Sequence, residues 1–140
     1  MLALLLFSCD TYSESELEEF DKEIVSYLKK EGITCETSPS GLHYKIIEEG
    51  DGELIQAKDN VVFKYKGSFL DGKVFEEDEV GVEFNVTQLI AAWKEVMYEL
   101  REGGKAFLVS PPQLAYGNHE LDDIPQNSIL IFEIEVIKVK

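Results

Sequence analysis

The run Val61-Val62-Phe63-Lys64-Tyr65-Lys66-Gly67-Ser68-Phe69-Leu70-Asp71-Gly72-Lys73-Val74-Phe75 sets the frame for the whole chain. Val61, Phe63 and Tyr65 recur at every second position, which puts them on one face of a strand from Asn60 to Lys66. Leu70-Asp71-Gly72-Lys73 has the composition of a tight turn, and a strand resumes over Lys73 to Phe75. The segment therefore predicts an antiparallel hairpin with one apolar, aromatic face. That face needs a cover.

Working outward, Leu42 to Glu48 reads as a strand closed by Gly50-Asp51-Gly52, and Lys105 to Val109 as one ended by Pro111-Pro112. The longest strand is expected over Ser128 to Val139, with Leu130, Phe132, Ile134 and Val136 on one face. Between them lies an amphipathic stretch, Gln88 to Leu100, which carries Leu89, Trp93, Val96, Met97 and Leu100. The sequence predicts a helix there, capped by Thr87 and stopping at Gly103-Gly104. Several antiparallel strands around one late helix give an α+β fold, one sheet wrapped on one helix.

Upstream, Ser13 to Lys30 predicts a second, amphipathic helix. Ser13 and Glu16 form a capping-box pattern, Tyr12 is placed to staple onto Leu17, and Gly32 to end the helix. Leu17, Phe20, Ile24, Tyr27 and Leu28 make an apolar stripe. The simpler expectation is that the stripe docks on the following domain rather than on a second copy, which favours a monomer over a dimer.

The chain of 140 residues is long enough to bury an ordinary core without staples. Its 28 acidic against 13 basic residues leave a net charge of −15, which disfavours nucleic acid as a partner, since no basic face is available to displace counterions. No glycine-rich loop opens a helix after a strand. His43 and His119 stand apart, in neither metal-ligand nor triad spacing, and read as surface or partly packed residues. No metal and no cofactor are expected. Cys35 reads as structural or incidental.

The remaining signal is aromatic. Tyr65, Phe75, Tyr116 with Ile124-Pro125, and Phe132 converge on the only tryptophan, Trp93, from regularly spaced segments. Phe63, Phe84, Phe107 and Tyr44 read as plain core. A shallow aromatic cup suits an apolar, proline-like ligand. It also suits rotation about an X-Pro bond, whose uncatalysed barrier is about 18–20 kcal/mol. The planar imide is polarised by resonance and the twisted transition state less so. Surroundings that strip water from the imide therefore favour the twisted form, with no proton moved by the protein.

Six pieces in order and spacing resemble the FKBP-type peptidyl-prolyl isomerases. They are Val61 to Gly67 with Leu70-Asp71-Gly72-Lys73-x-Phe75, then Leu89-Ile90-x-x-Trp93, Leu114-Ala115-Tyr116-Gly117, Ile124-Pro125 and Leu130-x-Phe132-x-Ile134-x-Val136, with Ser40-Gly41-Leu42-x-Tyr44 ahead of them. The resemblance covers roughly residues 37–140. It implies an antiparallel half-barrel of five or six strands around a short helix, with a proline pocket between them. Trp93 would be its floor and Tyr65, Phe75 and Phe132 its walls, with Glu76 beside Tyr65. Ile90 would offer its backbone N–H to a substrate carbonyl next to Leu89. Tyr116, after Ala115, would supply a hydroxyl, and Ile124 would line the rim.

Four positions depart from the family pattern. Glu76 stands for an aspartate, and its longer arm is expected to meet the Tyr65 hydroxyl differently. Val82 replaces a second wall aromatic, Ala92 replaces a glycine, and the rim loop Asn118 to Asp123 is short and acidic.

Met1 to Cys9 is too short to span a bilayer and resembles the end of a secretory signal. Leu6-Phe7-Ser8-Cys9 is similar to the site at which bacterial lipoproteins are cleaved and lipidated. The expected organisation is a signal remnant over 1–9, an acidic tether and amphipathic helix over 10–36, and the isomerase-like domain over 37–140. The resemblance implies an isomerase acting on proline-containing clients, lipid-anchored through Cys9 on the extracytoplasmic side of a cell envelope, periplasmic or outer-membrane. A non-catalytic binding or assembly module of the envelope is the alternative.

Overall fold

The computed structural model describes residues 12–140; the lipidation motif ending at Cys9 lies outside the described residues. Six antiparallel strands form one sheet. In chain order they are β1 (Glu36–Thr37), β2 (His43–Glu48), β3 (Asn60–Phe69), β4 (Val74–Asn85), β5 (Lys105–Ser110) and β6 (Leu130–Val139), arranged β1-β2-β5-β6-β3-β4. The half-barrel and the α+β class expected from the sequence are present.

The β3–β4 turn closes as its composition predicts. The Gly72 N–H donates to the Phe69 carbonyl at 2.9 Å, with Gly72 at φ +91°, a conformation that glycine adopts without strain. β4, however, does not stop near Phe75. It continues for 12 residues, pairing with β3 as far as Asn85. Its middle, Glu76-Glu77-Asp78-Glu79, hides the strand from a hydrophobic reading because β4 is an edge, where charge guards against unwanted pairing. A bulge relieves the run: the Asp78 carboxylate accepts from the Val80 and Gly81 N–H groups at 3.0 and 2.7 Å.

The late helix is shorter than its apolar spacing suggests. Asn85, not Thr87, forms a capping box, over a 3₁₀ turn at Val86–Gln88. The α-helix proper, α2 (Ala91–Met97), begins at Ile90 and ends at Tyr98, well before Gly103. Leu89 and Leu100 are nevertheless fully buried, so the apolar spacing marked core positions in the flanking turns as well. α2 covers the concave face of the sheet, and the main core lies between them.

The N-terminal helix, α1 (Glu14–Glu31), forms as predicted, with both bonds of the Ser13–Glu16 box and Gly32 as a left-handed cap. Tyr12 meets Phe20 edge-on at 5.3 Å and donates to Asn127 Oδ1. The stripe docks on the sheet: Ile24 and Leu28 pack with Val109, Ile129 and Ile131. That contact explains why β6 is apolar on both faces at its start. β1 straddles the boundary drawn between residues 36 and 37, tying α1 to the sheet. His43 is no surface residue. Its ring is buried, 2.7 Å from Asp21 on α1 and 3.2 Å from the Thr37 hydroxyl on β1. No helix among the described residues is long and apolar enough to cross a membrane.

Ile24→Ala should lower unfolding free energy by about 2–5 kcal/mol, the usual cost of emptying a filled core position. Denaturant unfolding checks this. An unchanged midpoint would mean that α1 does not stabilise the sheet.

Candidate functional site

Trp93 stands in the middle of α2, facing β3 and β6. Phe63 and Tyr65 from β3 and Phe132 from β6 approach it edge-on, with ring centroids at 5.3, 5.0 and 5.0 Å. Edge-to-face pairs of this kind set positive ring edges against negative faces, and each is worth about 0.5–1.5 kcal/mol beyond its buried area. Phe75 joins through Phe132, at 6.0 Å and 82°. Four of the expected aromatics thus come together. Phe63, read as plain core, is wholly buried, and from its place two residues before Tyr65 on the same strand face it packs on Trp93 as well.

One absent side chain makes this closure possible. A Cβ at Gly67 would lie 2.5 Å from the Phe75 ring and 3.0 Å from that of Phe132. Gly67 is paired with Phe132 on β6 and with Glu76 on β4, so the two rings close over its bare backbone.

The polar groups gather on one side. The Tyr65 hydroxyl donates to Glu76 Oε1, so the longer glutamate arm does reach the phenol. Burial, then the Glu76 hydrogen bond, then the charges of Glu76 and Asp78 push the Tyr65 phenol well above its ordinary range. Burial and the Glu76 charge do the same for Tyr116. Both stay protonated donors near neutral pH. Ile90 is wholly buried, and among the described residues no carbonyl takes a hydrogen bond from its N–H. Buried N–H groups are rarely left so. The Trp93 indole Nε1 is also buried, with no hydrogen-bond partner among the described residues.

The remaining expected positions fall around this cluster. Leu89 and Ile124 are buried, Ala92 is buried on α2 beside Trp93, and Val82, level with Phe63 on β3, is half-buried, as is Ala115. The cup is deeper than a shallow dish: Trp93 is 1% and Phe132 1% exposed. A concave space of about 550 Å³ lies beside the cluster, with half-buried Phe75 in its lining.

Residues 52–137 match the family model described as FKBP-type peptidyl-prolyl cis-trans isomerase. Over 117 residues the chain is 39% identical to the FKBP-type peptidyl-prolyl cis-trans isomerase FkpA of Escherichia coli, covering 81% of this chain and 43% of that protein. The crystal structure of FkpA from Escherichia coli superposes with a TM-score of 0.78 at 35% identity, over 91% of this chain and 62% of that one. A peptidyl-prolyl cis-trans isomerase structure from Pseudomonas syringae gives 0.76 at 27% identity, over 95% and 99%. The chain belongs to the FKBP-type peptidyl-prolyl cis-trans isomerase family. It spans less than half the length of the Escherichia coli relative.

Two outcomes follow. Gly67→Ala should destabilise by about 1–3 kcal/mol through overpacking, with altered near-ultraviolet dichroism; a native spectrum and midpoint would contradict the steric account. The raised phenols set an alkaline limit. Because Tyr65 and Tyr116 ionise later folded than unfolded, their contribution is intact below pH 10 and declines as pH rises beyond it. Unfolding measured from pH 8 upward should show that decline, flatter in Tyr116→Phe; an equal slope in both proteins would rule it out.

Proposed function

We propose that this domain catalyses cis–trans isomerisation of X-Pro bonds in polypeptide clients, with Trp93 beneath the pyrrolidine ring. The observation that carries the reading is the edge-on cage of Phe63, Tyr65 and Phe132 around Trp93. Family membership supports it independently. In this reading the Ile90 N–H takes a substrate carbonyl, and the Tyr116 hydroxyl holds the prolyl carbonyl out of plane. Glu76 fixes the Tyr65 phenol at the wall. No group in the set need gain or lose a proton, which suits a reaction whose barrier is rotation rather than bond cleavage. Phe75, Val82, Leu89, Ala115 and Ile124 complete the apolar surroundings.

Clients would be exported proteins folding outside the cytoplasm, with the chain held at the envelope through a lipid on Cys9. The motif Leu6-Phe7-Ser8-Cys9 supports that placement. Mass spectrometry of the mature N-terminus tests it: a diacylglyceryl-modified Cys9 is expected, and an unmodified Met1 start would refute it.

One observation favours the second reading, a non-catalytic binding module: Trp93 and Phe132 are almost fully covered. Exchange NMR on short X-Pro peptides decides. Catalysis predicts acceleration well above the spontaneous rate of one event per tens to hundreds of seconds, reduced about tenfold or more in Tyr116→Phe. Peptide binding without acceleration would establish the module instead.

A further inference from the structure

The acidic rim loop is not used by the cage. With the start of β4 it forms the walls of the cleft of about 550 Å³, lined by Lys73, Phe75, Glu120, Asp122, Asp123 and Pro125 among others. Three features of this cleft point to an extended polypeptide. First, it borders the aromatic cage, because Phe75 lines the cleft and its ring packs on Phe132, which in turn packs on Trp93. Centroid spacings of 6.0 and 5.0 Å along that path put the Phe75 wall within about three extended residues of Trp93, at ~3.3 Å per residue. Second, one wall is the first turn of an edge strand, open on its outer side. Third, its charge is lopsided. Glu120, Asp122 and Asp123 are exposed and face the single cation Lys73, and none of the three carboxylates forms an ion pair among the described residues.

We propose that this cleft seats the client residues flanking the proline and selects segments with Lys or Arg within three residues of it. The inference rests on the isomerase reading of the Trp93 cage and adds a substrate class to it. A basic flanking side chain passes Phe75 with its apolar stem against the ring and its charge among the three carboxylates. An acidic one meets uncompensated like charge in a chain of net charge −15.

The test compares two otherwise identical proline peptides, one with Lys and one with Glu beside the X-Pro pair, in the full chain. The ratio of their kcat/KM values should favour Lys by about fivefold at ~10 mM salt and approach one at ~0.5 M, as exposed charges are screened. Replacing the loop acids together, E120Q/D122N/D123N, should bring the low-salt ratio near one, and Lys73→Gln should raise it. A wild-type ratio of one at low salt, or a ratio that survives the triple replacement, overturns the inference. Failure of the isomerase reading looks different, as neither peptide is then accelerated. Calorimetric affinities of the same two peptides measure the charge preference in that event, and equal affinities refute it.

Discussion

α2 has seven residues, far fewer than a helix needs to persist alone in water, so its existence depends on what it buries. Trp93 is the largest of those groups. Its ring meets Phe63 and Tyr65 from one strand and Phe132 from the next, and these contacts join the short helix to the concave face of the sheet. The strands accommodate it with one omission, the missing side chain at Gly67, over which Phe75 and Phe132 close. On the opposite face, α1 covers the start of β6 with Ile24 and Leu28, so the strand that carries Phe132 is packed from both sides.

The same packing concentrates the site's few polar groups. Burial raises the Tyr65 and Tyr116 phenols, and Glu76 holds Tyr65 through a hydrogen bond. Ile90, whose N–H meets no carbonyl among the described residues, lies where the chain passes from a 3₁₀ turn into α2. In the proposed isomerase reading these groups act as neutral donors around an aromatic floor, and none needs to move a proton. On that reading the site strips water from an imide and holds its carbonyls, which is what lowering a rotational barrier requires.

Much of this was legible in the sequence, for reasons that differ by element. The Ser13–Glu16 box fixed the start of α1 because capping is local, and alternation in β3 and β6 was legible because one face of each is buried. The acidic stretch of β4 was not, since an edge strand carries charge where an interior strand carries apolar residues. The cap falls at Asn85 rather than Thr87; apolar spacing continues through the 3₁₀ turn and hides the break before α2. The aromatics that meet Trp93 from β3 and β6 could be named from alternation, but not the depth at which Trp93 lies, which depends on how β3 and α2 pack. Glu76 reached Tyr65 because the two lie on neighbouring strands, Glu76 opposite Gly67, two residues beyond Tyr65 on β3.

Trp93 is the only tryptophan, so its indole N–H gives a single signal at the centre of the cage. Titrating labelled protein with an X-Pro peptide, and with the same peptide carrying alanine for proline, tests the central claim most directly. The account predicts a saturable shift of the Trp93 indole resonance with the proline peptide and none with its alanine counterpart. Equal shifts with both peptides, or no shift with either, would contradict it.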